Sequence, residues 1–152
     1  SRYSGFLTFK ADLEKVWKPF SELFDIPVFT RLGLRYTNHL PIIRDESGTI
    51  PLSRYVTANF NVTAGFATGK IHDMDLSISC DLPGGRLLFL MQNEKREGGL
   101  EVLIVDFDFS HHGEINREDR RAFIETAHER IEAVFLDLIS EEHKQIMKGG
   151  TQ

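Results

Sequence analysis

The sequence predicts an α+β protein: an antiparallel meander sheet of about five strands, covered on one face by an N-terminal helix and a long C-terminal helix. Three observations predict this fold. Apolar residues recur at helical spacing near both ends, the segments between them alternate apolar and polar residues, and short turns separate most of those segments. A chain of 152 residues that is 41% hydrophobic is long enough to bury a core. We therefore expect one domain over residues 1–152, which a longer protein could carry as its C-terminal part.

The N-terminal helix is predicted from an apolar stripe that follows Thr8, a residue type suited to capping a helix. Pro19 lies inside this stripe and is expected to kink the helix, or to end a first piece near Trp17. Pro27 closes the segment. The stripe consists of Phe9, Leu13, Val16, Trp17, Phe20, Leu23 and Phe24.

The strands are predicted from alternation and from the turns that bound them. Pro83-Gly84-Gly85 and residues 95–99 are turn sequences, and short connections between successive strands indicate an antiparallel meander. Residues 40–54 contain prolines, a glycine and charged residues, which is typical of a loop. The predicted strands cover residues 28–39, 55–66, 71–82, 86–94 and 100–110.

The long C-terminal helix is predicted to begin near Asn116 and Asp119, which resemble a capping pair. Ser140 is expected to restart a last turn or two before the glycines at 149–150. The two helices are the available cover for the apolar face of the sheet, so a two-layer sandwich is the simplest architecture. A curled sheet that grips the C-terminal helix, with a pocket between them, is the main variant.

Composition excludes several classes of function. The net charge of −5 argues against broad binding of nucleic acid or of anionic membranes, which requires clustered lysines and arginines. No apolar run approaches the roughly 20 residues of a membrane span. Cys80 is the single cysteine, so no intrachain disulfide can form, and a cytoplasmic location is expected. Its position on the apolar side of a strand predicts a buried, inert thiol.

The candidate binding site combines two strands that each bear charges on one side. Arg31 and Arg35 share one face of the first strand, and Asp106 and Asp108 share one face of the last. If these strands adjoin, the groups can pair across the sheet, either as a polar binding face or as ordinary surface ion pairs that contribute about 0.2–1 kcal/mol each. The full predicted set of binding residues is Arg31, Arg35, Asn38, His39, Asp106 and Asp108.

The histidines raise the question of a metal site. His111 and His112 follow the last predicted strand, with Asp108 and Glu114 nearby, but adjacent residues of an extended segment point apart. We therefore expect a polar loop there, and no metal ligands, cofactor or catalytic residues. His128 is expected at the boundary of the C-terminal helix, bonded to a neighbour.

Residues 31–40 resemble the hallmark of a sporadically distributed prokaryotic family of unknown function, which reads R-hydrophobic-G-L-R-Y-x-N. A tryptophan-containing amphipathic helix before the hallmark, a late hydrophobic-D-hydrophobic-D strand and a histidine seven residues before a phenylalanine, here His128 and Phe135, are similar too. His39 stands where the family usually has a third arginine. The resemblance implies an accessory role, defence- or toxin-linked, and no particular reaction.

Three functions are consistent with these observations. The first is a non-enzymatic module that binds a partner protein, or a second copy of the chain, through the polar sheet face or an exposed strand edge. The second is a small-ligand binding domain with an apolar pocket between the sheet and the C-terminal helix. The third and weakest is a metal-dependent hydrolase that uses Asp106, Asp108 and a histidine.

Overall fold

The computed structural model describes residues 5–57 and 71–149. Within them the chain is α+β, with an antiparallel sheet, an N-terminal helix and a C-terminal helix. The helices are α1 (Phe6–Leu23), α2 (Arg120–Leu138) and α3 (Glu141–Gly149). The strands are β1 (Val28–Pro41), β2 (Asp75–Leu82), β3 (Gly85–Lys95) and β4 (Glu101–Asn116). No helix in the described ranges is long and apolar enough to cross a membrane.

The described sheet has four strands in the order β1-β4-β3-β2, all antiparallel. β2, β3 and β4 form the predicted meander, because short turns join them. β1 does not continue that meander as predicted. It pairs instead with β4, along a ladder from Val28 opposite Asn116 to Pro41 opposite Val102. The two charge-bearing strands are therefore direct neighbours.

The prediction of about five strands exceeds the four that the structure describes. The additional strand was predicted over residues 55–66, of which 58–66 lie outside the described residues. Tyr55 follows a short 3₁₀ helix, Leu52–Arg54, and Val56 makes an isolated bridge to Ile139. The start of that predicted segment is therefore a turn and a single bridge.

The hydrophobic core lies between the sheet and α2. On β4, Val105, Phe107 and Phe109 are fully buried, and they pack in one cluster with Ile124, Ala127 and Ile131 of α2 and with Leu34 of β1. Burying a phenylalanine side chain contributes about 1.5–3 kcal/mol. This cluster fixes which face of the sheet the C-terminal helix covers, as the alternation predicted.

α1 covers less of the sheet than predicted. It begins at Phe6 rather than after Thr8, it continues through Pro19 to Leu23, and none of its residues is buried. It lies against α2 through ion pairs of Lys10 with Glu125 and of Glu14 with Arg120 and Arg121. Much of its predicted apolar stripe is exposed, including Val16 and Leu23. Ion pairs to α2 hold this helix, together with two ring contacts, of Phe6 with His128 on α2 and of Trp17 with Phe29 on β1.

β4 is longer than predicted and carries a bulge. Residues 111–116 continue the strand, so His111 and His112 are not in a loop. Between Phe29 and Arg31 the register shifts, so that Gly113 and Glu114 both lie opposite Thr30. Gly113 has φ +143°, a conformation that favours glycine.

Cys80 corrects a further prediction. Cys80 lies on the core-side face of β2, as the alternation predicted, but the residue is exposed. β2 is an edge of the described sheet and pairs only with β3 there, and residues 77–81 are all exposed. The prediction that Cys80 is buried is therefore wrong.

Candidate functional site

The face of the sheet opposite α2 carries the predicted charged residues, and we call it the polar face. Directly opposed residues of neighbouring strands share a face, and Arg35 is opposite Asp108 while Asp106 is opposite Leu90. Thr37 of β1 and Ser77 and Ser79 of β2 are exposed there. The polar face includes Arg31, Gly33, Arg35, Thr37, His39, Asp75, Ser77, Ser79, Asp81, Arg86, Leu88, Leu90, Gln92, Glu94, Ile104, Asp106, Asp108, Ser110 and His112.

Arg35 and Asp106 form the central ion pair of the polar face. The Arg35 Nε lies 3.0 Å from both carboxylate oxygens of Asp106, and Nη2 donates a further hydrogen bond to Oδ2. The Asp106 side chain is 5% exposed and that of Arg35 is 61% exposed. Bonding to Asp106 raises the pKa of Arg35 above its usual value. The carboxylate therefore lies inside the face and the guanidinium lies on its surface.

Arg31 and Asp108 form a second pair of the same orientation. Arg31 Nη2 lies 3.2 Å from Asp108 Oδ2, and the arginine is again the more exposed partner. Gly33 separates the two arginines along β1. A Cβ at Gly33 would lie 3.2 Å from the Ser110 Cβ and 3.3 Å from Asp108 Oδ1, so a side chain there would crowd the carboxylate. Glycine at this position leaves room for the cross-strand pair.

His39 lies on the polar face with a partner that the sequence did not indicate. Nη2 of Arg96, from the loop between β3 and β4, lies 3.0 Å from His39 Nδ1. Arg96 thus places a guanidinium beside His39. The two residues are 57 positions apart, and no local spacing connects them.

Asn38 is not part of the polar face, contrary to the prediction that grouped it with the arginines. It is one residue from Thr37 and therefore points to the opposite, α2-covered face. There its amide Nδ2 donates to the Val105 carbonyl at 3.2 Å. Strict alternation along β1 places Asn38 on this face. The predicted set of binding residues did not take that alternation into account for Asn38.

Asn38 instead lines a pocket between β1, α2 and the ends of α1 and α3. The pocket has a volume of about 390 Å³, and aromatic and aliphatic side chains make up most of its wall. Tyr36 and His128 also line it, and the Tyr36 hydroxyl lies 3.2 Å from His128 Nδ1. His128 is thus bonded to a neighbour, as predicted, and also faces a pocket.

The described residues contain no group of three or more histidine, cysteine, aspartate or glutamate side chains placed to hold a metal ion. His112 Nε2 lies 3.5 Å from Ser110 Oγ, at the limit of a hydrogen bond. His111 is opposite Leu32 on the core-side face, so the two histidines point to opposite sides of β4. Asp106 and Asp108 each form an ion pair with an arginine.

Comparison with protein-family models, with curated proteins and with solved structures gives no match. The resemblance of residues 31–40 to the prokaryotic family hallmark therefore stays a prediction.

Proposed function

We propose that this chain is a non-enzymatic, cytoplasmic protein-interaction module, and that its partner presents carboxylate groups to the polar face. One observation carries the proposal: in the Arg35–Asp106 pair the carboxylate is 5% exposed while the guanidinium is 61% exposed. The pair directs its cation outward, and the neighbouring Arg31–Asp108 pair has the same orientation.

The ion pairs leave donors for a partner. A guanidinium has five N–H donors in a planar fork that matches a carboxylate. Asp106 receives bonds from Nε and Nη2 of Arg35, and no described residue accepts one from Nη1. Asp106 already fixes the orientation of the guanidinium. Arg35 would therefore lose less side-chain entropy on binding a partner than an unpaired arginine would.

The polar face also offers apolar contact of limited area. Leu88, Leu90 and Ile104 are half-buried between the charged groups. Three strand spacings of about 4.8 Å and nine residues of β4 at about 3.3 Å give a face of roughly 14 by 30 Å. That area corresponds to the small interfaces of weak and transient complexes rather than to obligate ones.

The wider role of the module is part of the same proposal. Membership of an accessory prokaryotic system, defence- or toxin-linked, is supported by the resemblance of residues 31–40 alone. The non-enzymatic role is supported by the geometry of the two carboxylates, since Asp106 and Asp108 are each bound by an arginine.

A photocrosslinking experiment tests the proposal. A benzophenone amino acid replaces Thr37 on the polar face or, as the matched control, Glu129 on the exposed side of α2. Both proteins are expressed in the organism that encodes the chain, irradiated, and analysed by mass spectrometry. We expect one identified protein to be crosslinked at position 37 and not at position 129, through a segment that contains aspartate or glutamate.

Two outcomes would contradict the proposal. One is crosslinking only from position 129, which would place the interface on the helical side. The other is a crosslink between two copies of the chain through position 37, because facing copies would bring their outward guanidiniums together.

A further inference from the structure

We infer that the pocket between β1 and α2 is a binding site for a small, neutral, mainly apolar molecule that carries one hydrogen-bonding group. This site is separate from the proposed interaction face, because it lies on the opposite side of the sheet. Its volume of about 390 Å³ is in the range of roughly 300–1,000 Å³ that small-molecule sites occupy.

The wall of the pocket sets the apolar character of the ligand. Leu136 and Met147 are 48% and 52% exposed, so their side chains still present apolar surface that a ligand would remove from water. Further carbon surface comes from the core side of α2 and from the start of α1. The apolar lining residues are Phe6, Ile131, Phe135, Leu136 and Met147.

Polar groups of the pocket converge on His128. The imidazole stacks on Phe6, with ring centroids 3.7 Å apart and planes at 18°, and its Nδ1 lies 3.2 Å from the Tyr36 hydroxyl. Asn38 adds an amide whose Nδ2 bonds to Val105, while no described residue donates to its Oδ1. A single hydroxyl or amide on the ligand would find both donors and acceptors here.

The charges around the pocket argue against an anionic ligand. No lysine or arginine is among the described lining residues, and the one formal charge is the carboxylate of Glu132. Glu132 Oε2 lies 3.9 Å from His128 Nε2, close to the polar end of the pocket. A ligand carboxylate or phosphate would therefore meet a like charge, with no lysine or arginine of the described lining to compensate it.

Three probes that share one ring system test the inference: naphthalene, 1-naphthol and 1-naphthoate. Their dissociation constants are measured by fluorescence titration of the full chain. We expect 1-naphthol to bind roughly two- to tenfold more tightly than naphthalene, which corresponds to one neutral hydrogen bond. We expect 1-naphthoate to bind most weakly.

Two variants locate the binding. Leu136→Trp places a larger ring at the exposed mouth of the pocket and should abolish binding of all three probes, whereas Val16→Trp on the exposed side of α1 should leave binding unchanged. His128→Phe keeps a ring against Phe6 but removes the nitrogens, so the advantage of 1-naphthol over naphthalene should fall. Naphthalene binding by that variant reports that the pocket is still formed.

The inference is overturned if no probe binds up to its solubility limit, or if 1-naphthoate binds as tightly as 1-naphthol. Unchanged binding by Leu136→Trp would overturn it as well, because the probes would then occupy another site. If 1-naphthol keeps its full advantage in affinity over naphthalene in His128→Phe, His128 is not the group that binds the hydroxyl. Failure of the crosslinking at position 37 would leave these measurements unaffected.

Discussion

Strand β4 holds two buried carboxylates, Glu101 and Asp106, and an arginine binds each of them, but the fold uses the two arginines differently. Arg44 bonds to Glu101 through Nε at 2.7 Å, and it also donates to the carbonyls of Gly48 and His72. Arg35 bonds to Asp106 alone among the described residues. Arg44 is 24% exposed, whereas Arg35 is 61% exposed.

The comparison separates a structural arginine from one that is available for binding. Arg44 uses donors on all three of its nitrogens to attach the loop after β1 to the sheet, and Asn93 completes the hydrogen bonding of Glu101. Arg35 uses donors on two nitrogens, and no described residue accepts a hydrogen bond from the third. Both pairs contain a buried carboxylate, so burial of the acid alone does not distinguish them. The unused donors of the arginine do.

The largest effect is expected from removing the structural pair. Glu101→Ala leaves the Arg44 guanidinium and the Asn93 amide without their shared acceptor, so the free energy of unfolding should fall by about 2–3 kcal/mol. Urea denaturation measures the change. Glu97→Ala, in the exposed loop before β4, is the control and should stay within about 0.5 kcal/mol of the original protein. A smaller loss for Glu101→Ala than for the Arg35 variant below would reverse the comparison.

Removing the outward arginine should cost less. Arg35→Met leaves Asp106 without its donor, and we expect a loss of about 1–2 kcal/mol, between the values for exposed and for buried pairs because the guanidinium is largely solvated. Arg35→Met with Asp106→Leu should recover most of that loss, since an apolar pair of similar size can replace a buried ion pair. Thermal unfolding of both variants is the measurement. A double variant that is less stable than the single one would show that the pair is required by the fold.

The smallest effect concerns pH. Hydrogen bonding from Arg44 lowers the pKa of Glu101 in the folded protein below its ordinary value of 4.5. The unfolded chain then binds this proton more readily, so the contribution of Glu101 is complete above about pH 4.5 and is lost as the pH falls through the folded pKa. Between pH 5 and pH 3, Glu101→Gln should therefore lose less stability than the original protein. If the free energy of unfolding falls equally with pH in Glu101→Gln and in the original protein, the role given to Arg44 is contradicted.

The faces of the sheet could be predicted from the sequence, whereas its strand order could not. Alternation of period two places Arg35 and Asp106 on one side and Phe107 on the other without reference to any distant residue. The hairpins that join β2, β3 and β4 follow from Pro83-Gly84 and from the glycines at 98–99. The pairing of β1 with β4 joins residues about 70 positions apart, and no local pattern encodes that choice.

The same distinction holds for the candidate site. The charged residues of the two strands could be predicted, because alternation with apolar sequence neighbours indicates the face on which each lies. They are Arg31, Arg35, Asp106 and Asp108. Arg96 and Arg44 could not, since each acts from an irregular segment on a residue 57 positions away. The exposure of α1 was also missed, because an apolar stripe indicates a helix but does not specify what covers it.

The difference between Arg35 and Arg44 can be measured directly with the partner identified by crosslinking. Arg35→Lys and Arg44→Lys keep the charge and remove the planar fork of donors. We predict that Arg35→Lys weakens partner binding by about tenfold or more with an unchanged urea midpoint, and that Arg44→Lys lowers the midpoint with an unchanged dissociation constant. Equal partner affinity of Arg35→Lys and the original protein would contradict the outward guanidinium as the binding group.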